Sequence, residues 1–108
     1  MTLDDYQRAA LRTLNPALGE RDRLLDAAAG MAEEAGETLG LIRKHLFQDR
    51  PLERERLTTE LGDVLWCLAV TAHSAGITLD DVAAANVAKL QARYPGGFSS
   101  ERAAQRES

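Results

Sequence analysis

Residues 30–66 read GMAEEAGETLGLIRKHLFQDRPLERERLTTELGDVLW. The stretch holds two runs of helical spacing, broken at Gln48-Asp49-Arg50-Pro51. Ahead of the break, Leu24, Ala28, Met31, Ala35, Leu39, Ile42 and Leu46 recur by threes and fours; beyond it, Leu57, Leu61, Val64, Leu68, Ala72 and Ala75 do the same. That period belongs to an amphipathic α-helix. The spacing predicts one helix over 21–46 and another over 52–75, with Pro51 suited to the first turn of the second. So short a turn makes the two helices antiparallel neighbours, a central helical hairpin.

Outside this hairpin, Thr2 and Asp5 form a capping-box pattern ahead of a helix over 2–14, with Leu3, Tyr6, Ala10 and Leu14 as its stripe and Asn15-Pro16 as its end. Gly76 is a natural stop for the second hairpin helix. Thr78 with Asp81 opens a last helix that reaches Arg93, before Pro95-Gly96-Gly97. Along it Ala83, Val87, Leu90 and Tyr94 make the expected core face, while Val82, Asn86, Lys89 and Arg93 share another. No strand alternation and no repeat is visible. The expected fold is all-α, a four-helix bundle around the antiparallel hairpin, as one domain over 1–98 with a loose polar tail over 99–108. A domain of this size often gains stability by oligomerising.

The charge distribution is uneven. Asp and Glu number 17 against 13 Lys and Arg, yet setting aside Glu33, Glu34, Glu37, Glu60 and Asp63 leaves a balance of +1. The acidity is thus concentrated in two short segments, and no basic stripe suggests binding to a nucleic-acid polymer. A single cysteine, Cys67, excludes an intramolecular disulfide and suits a reducing compartment. No apolar run spans a bilayer, and the start, with Asp4 and Asp5, lacks signal-peptide character. A cytoplasmic protein with no membrane partner is the expectation.

On ideal helices turning about 100° per residue, Glu34 and Glu37 on one strand of the hairpin and Glu60 and Asp63 on the other flank their stripes in the same rotational sense. Across an antiparallel pair, equal-sense offsets fall on one side. Heights agree as well: the residue numbers of Glu34 and Asp63, and of Glu37 and Glu60, both total 97, which centres each pair on the turn. Four carboxylates facing one another repel unless a cation sits among them or a pKa rises. An all-oxygen set suits Mg²⁺, Mn²⁺ or Ca²⁺. The plain alternative is a solvated acidic face.

Glu33-Glu34-x-x-Glu37 followed by Glu60-x-x-Asp63, with the closing run Lys89-Leu90-Gln91-Ala92-Arg93-Tyr94-Pro95-Gly96-Gly97-Phe98, resembles the signature of MazG-like nucleotide pyrophosphohydrolases. The resemblance covers residues 30–98. It implies Mg²⁺-dependent hydrolysis of a nucleoside triphosphate to monophosphate and pyrophosphate, with Mn²⁺ as a substitute ion, in nucleotide-pool housecleaning. It also implies Glu34, Glu37, Glu60 and Asp63 as metal ligands, Asn86 and Lys89, with Arg93 beside them, as phosphate contacts, and a homodimer or homotetramer. Orienting the attacking water falls to Glu33 or to a ligating carboxylate, with Glu33 the expected catalytic residue. The competing readings are a metal- or nucleotide-binding helical module without turnover, and an oligomeric interaction protein with a merely acidic surface.

The remaining residues have bland expectations. Arg43 and Lys44 sit where a helix C-terminus favours cations. His45 is expected as surface or cap, His73 and Trp66 as packing, and Cys67 as an unreactive pocket wall. Gly36, Gly40 and Gly62 are expected to allow close helix approach.

Overall fold

The structure is a computed structural model that describes residues 1–105; residues 106–108, the end of the expected polar tail, lie outside the described residues. Five helices follow in order: α1 (Leu3–Leu11), α2 (Glu20–Phe47), α3 (Arg54–Ser74), α4 (Leu79–Arg93) and the short α5 (Ser100–Ala104). No strand occurs among the described residues. The architecture is all-α, as the sequence predicts. Pro51 lies ahead of α3 rather than in its first turn, because Glu53 is the N-cap. No single helix among the described residues is long and apolar enough to cross a membrane.

The helix ends follow local chemistry. Thr2 and Asp5 form the full reciprocal box, each side chain accepting from the other's backbone N–H at 3.0 and 2.9 Å. Thr78 accepts from the Asp81 N–H at 3.1 Å. Gly76, at φ 75°, closes α3 with the Gly76 N–H on the His73 carbonyl and the Ile77 N–H on the Ala72 carbonyl. That left-handed turn needs a residue without a Cβ, and the chain bends by 101° there from α3 into α4. In the expected tail, Ser99 caps α5 by accepting from the Arg102 N–H.

The core lies where α1 crosses the α3–α4 corner. Ala10, Ala69, Ala72 and Leu79 are buried there, ringed by Tyr6, Trp66, Leu68 and Val82. Gln7 is buried among them and latches all three helices. Its Nε2 donates to the carbonyls of Ala69 and Ile77 at 3.1 and 3.2 Å, and its Oε1 accepts from the Leu79 N–H at 3.1 Å. A second tie comes from Asp4, whose carboxylate accepts from the Asp80 N–H. Trp66 packs as expected, donating from Nε1 to the Thr13 hydroxyl at 2.8 Å.

Several packing expectations are corrected. The face that α2 turns to α3 carries Ala27, Gly30 and Glu34, about 120° around the helix from the leucine stripe. Small side chains let the backbones approach closely, so the bulky ones are left outside. Leu39 is 59% exposed, Leu46 62% and Leu61 51%. The glycine that accommodates close approach is Gly30, where a Cβ would lie 3.0 Å from the Cys67 Sγ; Gly36, Gly40 and Gly62 have open space instead. On α4 the expected core face is thin, since Val87 and Leu90 are exposed. His73 is exposed rather than packed.

Replacing Gln7 by Leu leaves the buried Leu79 N–H without its partner and removes the two bonds to the Ala69 and Ile77 carbonyls, which costs about 2–3 kcal/mol. Urea unfolding followed by circular dichroism is expected to show the midpoint falling accordingly. An unchanged midpoint would remove Gln7 as the latch.

Candidate metal centre

α2 and α3 make the most extensive helix–helix contact in the chain. Their contacts run in opposite order along the two helices: Gly30 meets Cys67, and one to two turns further along α2, Glu34 and Glu37 meet Glu60. Oxygens of Glu34, Glu37 and Glu60 come within 4.8 Å of one another. Asp63, one turn along α3 from Glu60, is exposed and close enough to act on the Glu34 charge. Of the four residues picked out by height, three thus come together and could hold a cation, with Asp63 beside them on α3.

The electrostatics are those of crowded carboxylates. Glu34 is pushed up to about 7, first by burial, then by Glu37, by the hydrogen bond that its protonated form can make to Glu60, and by Asp63. One oxygen of Glu34 and one of Glu60 are buried with no hydrogen-bond partner. Orphaned carboxylate oxygens of this kind are costly unless a proton or a cation reaches them. The donors are all carboxylate oxygens, without imidazole or thiolate, so the residues present fit a hard divalent cation.

The neighbours of the cluster are unreactive or peripheral. Burial, with Glu34, Asp63, Asp26 and Glu33 around it, raises the Cys67 thiol pKa and keeps the thiol protonated. Glu33 is exposed and outside the ligand group. Sequence reasoning missed Tyr6. Burial first, then Asp63 and Cys67, raises its phenol pKa, which places α1 at the edge of the site. Only the long-range docking of α1 brings it there, and no local motif signals that.

The expected phosphate contacts do not join the carboxylates within one chain. Asn86 lines an apolar groove with Leu3, Leu65, Leu68, Leu79 and Val82, on a side of α3 away from Glu60 and Asp63. Lys89 is exposed. Arg93 is half-buried, its guanidinium 5.9 Å from the centre of the Tyr94 ring.

The chain matches the MazG nucleotide pyrophosphohydrolase domain over residues 24–98. It belongs to the MazG family. It is 34% identical over 105 residues to the Gene 37 protein of Mycobacterium phage L5, covering 90% of this chain and 92% of that one. It is also 36% identical over 73 residues to YvdC of Bacillus subtilis (strain 168), covering 59% of this chain and 69% of the relative. Neither name states an activity. No solved structure matches. MazG proteins act on nucleotides, and the acidic seam falls inside the matched span.

A metal-free pH series tests the crowding. Folding raises the Glu34 pKa from the ordinary 4.5 of a solvated glutamate, so the folded state holds that proton more tightly. Its contribution to stability is full below the unfolded value and is lost as pH climbs through about 7. In EDTA, the Tm is expected to fall between about pH 5 and pH 8. Asp80 is shifted in the same direction by burial and Asp4, so Glu34→Gln isolates the site by flattening most of the fall. A variant with the wild-type slope would put the repulsion elsewhere.

Proposed function

We propose that this MazG-family chain is a Mg²⁺-dependent nucleoside triphosphate pyrophosphohydrolase, releasing nucleoside monophosphate and pyrophosphate, with Mn²⁺ able to substitute. The reading is carried by the partnerless buried oxygens of Glu34 and Glu60 within the acidic seam. Glu34, Glu37, Glu60 and Asp63 would hold the cation. When bound, it would neutralise phosphate charge and acidify a coordinated water. The chain's own residues then have simple tasks. By holding that cation, the four carboxylates would set where the triphosphate lies along the α2–α3 seam. Glu33, exposed and next to Glu34 in the chain, would orient a water and take its proton. Phosphoryl transfer asks mainly for such positioning and charge balance, so an elaborate nucleophile is unnecessary.

The cellular role that suits this activity is housecleaning of the nucleotide pool in the cytoplasm. The catalytic domain is read as residues 1–98, with 99–108 as an appendage. The assembly is a homodimer or homotetramer, supported by the exposed leucines of α2 and α3, whose face has no partner within the described chain. A second copy packed there could also bring Asn86, Lys89 and Arg93 to a site that they do not reach within one chain.

A panel of ribo- and deoxyribonucleoside triphosphates with Mg²⁺ is expected to yield pyrophosphate and monophosphate, with EDTA abolishing turnover. Glu37→Gln and Asp63→Asn should each lower kcat/KM by about 10²-fold or more, as loss of a transition-state charge stabiliser does. If no nucleotide yields pyrophosphate with any divalent ion, the enzymatic reading fails. Light scattering checks the assembly separately: Leu39→Glu is expected to convert a dimer or larger species to monomer, since a buried unpaired charge is intolerable at an apolar interface.

A further inference from the structure

Beyond the acidic seam, the end of α2, the turn and the start of α3 enclose a cleft of about 180 Å³. Lys44, Arg50 and Arg56 line it over a floor that includes Leu41 and Leu52, with Glu53 the one acid present. In a chain with more acids than bases, three cations converge on one concavity. None of them forms an ion pair among the described residues, where Arg8 and Asp5 make the salt bridge.

The turn is built to hold them there. The Lys44 carbonyl accepts from the N–H groups of Gln48 and Arg50 at 3.1 and 3.2 Å. The Arg50 carbonyl lies 2.8 Å from the His45 Nδ1, which fixes that residue from its other side. Asp49 adopts a left-handed φ of 51° to let the chain reverse. Glu53, the N-cap of α3, makes no side-chain cap, so first-turn N–H groups beside the cleft remain available. A single water occupies roughly 30 Å³ in the liquid, so the cleft has room for a larger ligand.

Its place in the seam is informative. Leu41 is one helical turn beyond Glu37, and Arg56 one turn before Glu60. The cleft therefore begins about 6 Å from the carboxylate cluster, in the direction of the turn. An extended phosphate chain can span that distance. Guanidinium and ammonium groups are the side chains that recognise its oxygens.

We propose that this cleft is an anion subsite for a pyrophosphoryl group, held by Lys44, Arg50 and Arg56 and separate from the metal ligands. The assignment of that group to a nucleotide rests on the pyrophosphohydrolase reading; binding of the bare anion does not.

The test is calorimetric titration of the full chain with sodium pyrophosphate in EDTA. Wild type is expected to bind with a Kd of roughly 1 mM or tighter, and Glu37→Gln to bind equally well or better. Lys44→Gln and Arg56→Gln should each weaken binding severalfold, and the pair together with Arg50→Gln by about tenfold or more, with unchanged circular dichroism. Arg43→Gln, the same charge change outside the cleft, should leave affinity unaltered. No binding by wild type, or an equal loss in Arg43→Gln, would overturn the proposal. A kinetic arm separates the sources of the anion. If the cleft holds the substrate's own phosphates, the KM for the triphosphate rises in the Lys44 and Arg56 variants. If it holds released pyrophosphate, KM stays constant and product inhibition weakens. Absence of turnover in wild type would sink the enzymatic reading while leaving the titration to judge the cleft.

Discussion

The close approach of Gly30 to Cys67 sets the register of everything that matters in this chain. With a hydrogen in place of a side chain, α2 can lie against α3 tightly enough for Ala27 and Val70 to be almost wholly buried. From that point the two helices count off in opposite directions. One turn brings Glu34 to the seam, and the next brings Glu37 to Glu60. A further turn reaches Leu41 and Arg56 at the cleft. A slip of one residue in this pairing would rotate the carboxylates out of the seam, because neighbours on a helix point about 100° apart. Packing by small residues thus dictates where the repulsive ones must meet.

That arrangement stores an unfavourable interaction in the middle of the molecule. Two buried carboxylate oxygens have no protein partner, and Glu34 holds its proton to near neutrality. Natural cores rarely keep such groups without a purpose, and conflicts between local stability and global fold concentrate at functional sites. The rest of the structure offsets the conflict with distant, ordinary means: the Thr2 and Thr78 caps, the glycine stop at Gly76 and the Gln7 latch. None of these touches the acidic seam, so the site can be strained without loosening the fold around it.

Much of this was legible in the amino-acid order. Helix spacing marked the four main helices, and the caps of α1 and α4 were readable because a threonine three residues ahead of an aspartate has a local geometric meaning. The carboxylates were legible for a different reason: matching heights across a short turn depend only on residue counting. The sequence was less informative wherever the outcome depended on which of two surfaces a helix would bury. Leucines spaced by threes and fours on α2 and α3 looked like the natural contact, but alanine and glycine won the seam and left Leu39, Leu46 and Leu61 outside. The same ambiguity misplaced the α4 faces and His73. Gln7 gave no warning either, since a glutamine on a short helix looks like surface until a helix bend supplies it with backbone partners. The position of Asn86 and the approach of Tyr6 are likewise properties of tertiary docking.

Trp66 gives the molecule a built-in optical probe. It is the chain's one tryptophan, three residues past Asp63 on α3, and its indole N–H is tied to Thr13 just beyond α1. An indole held in that way emits differently from one released to water, because its polar edge has lost a fixed partner. Fluorescence from this single side chain therefore reports whether the N-terminal helix is seated on the corner beside the acidic seam. Undocking of α1 can be followed on its own, without any label and without waiting for the α2–α3 pair to come apart.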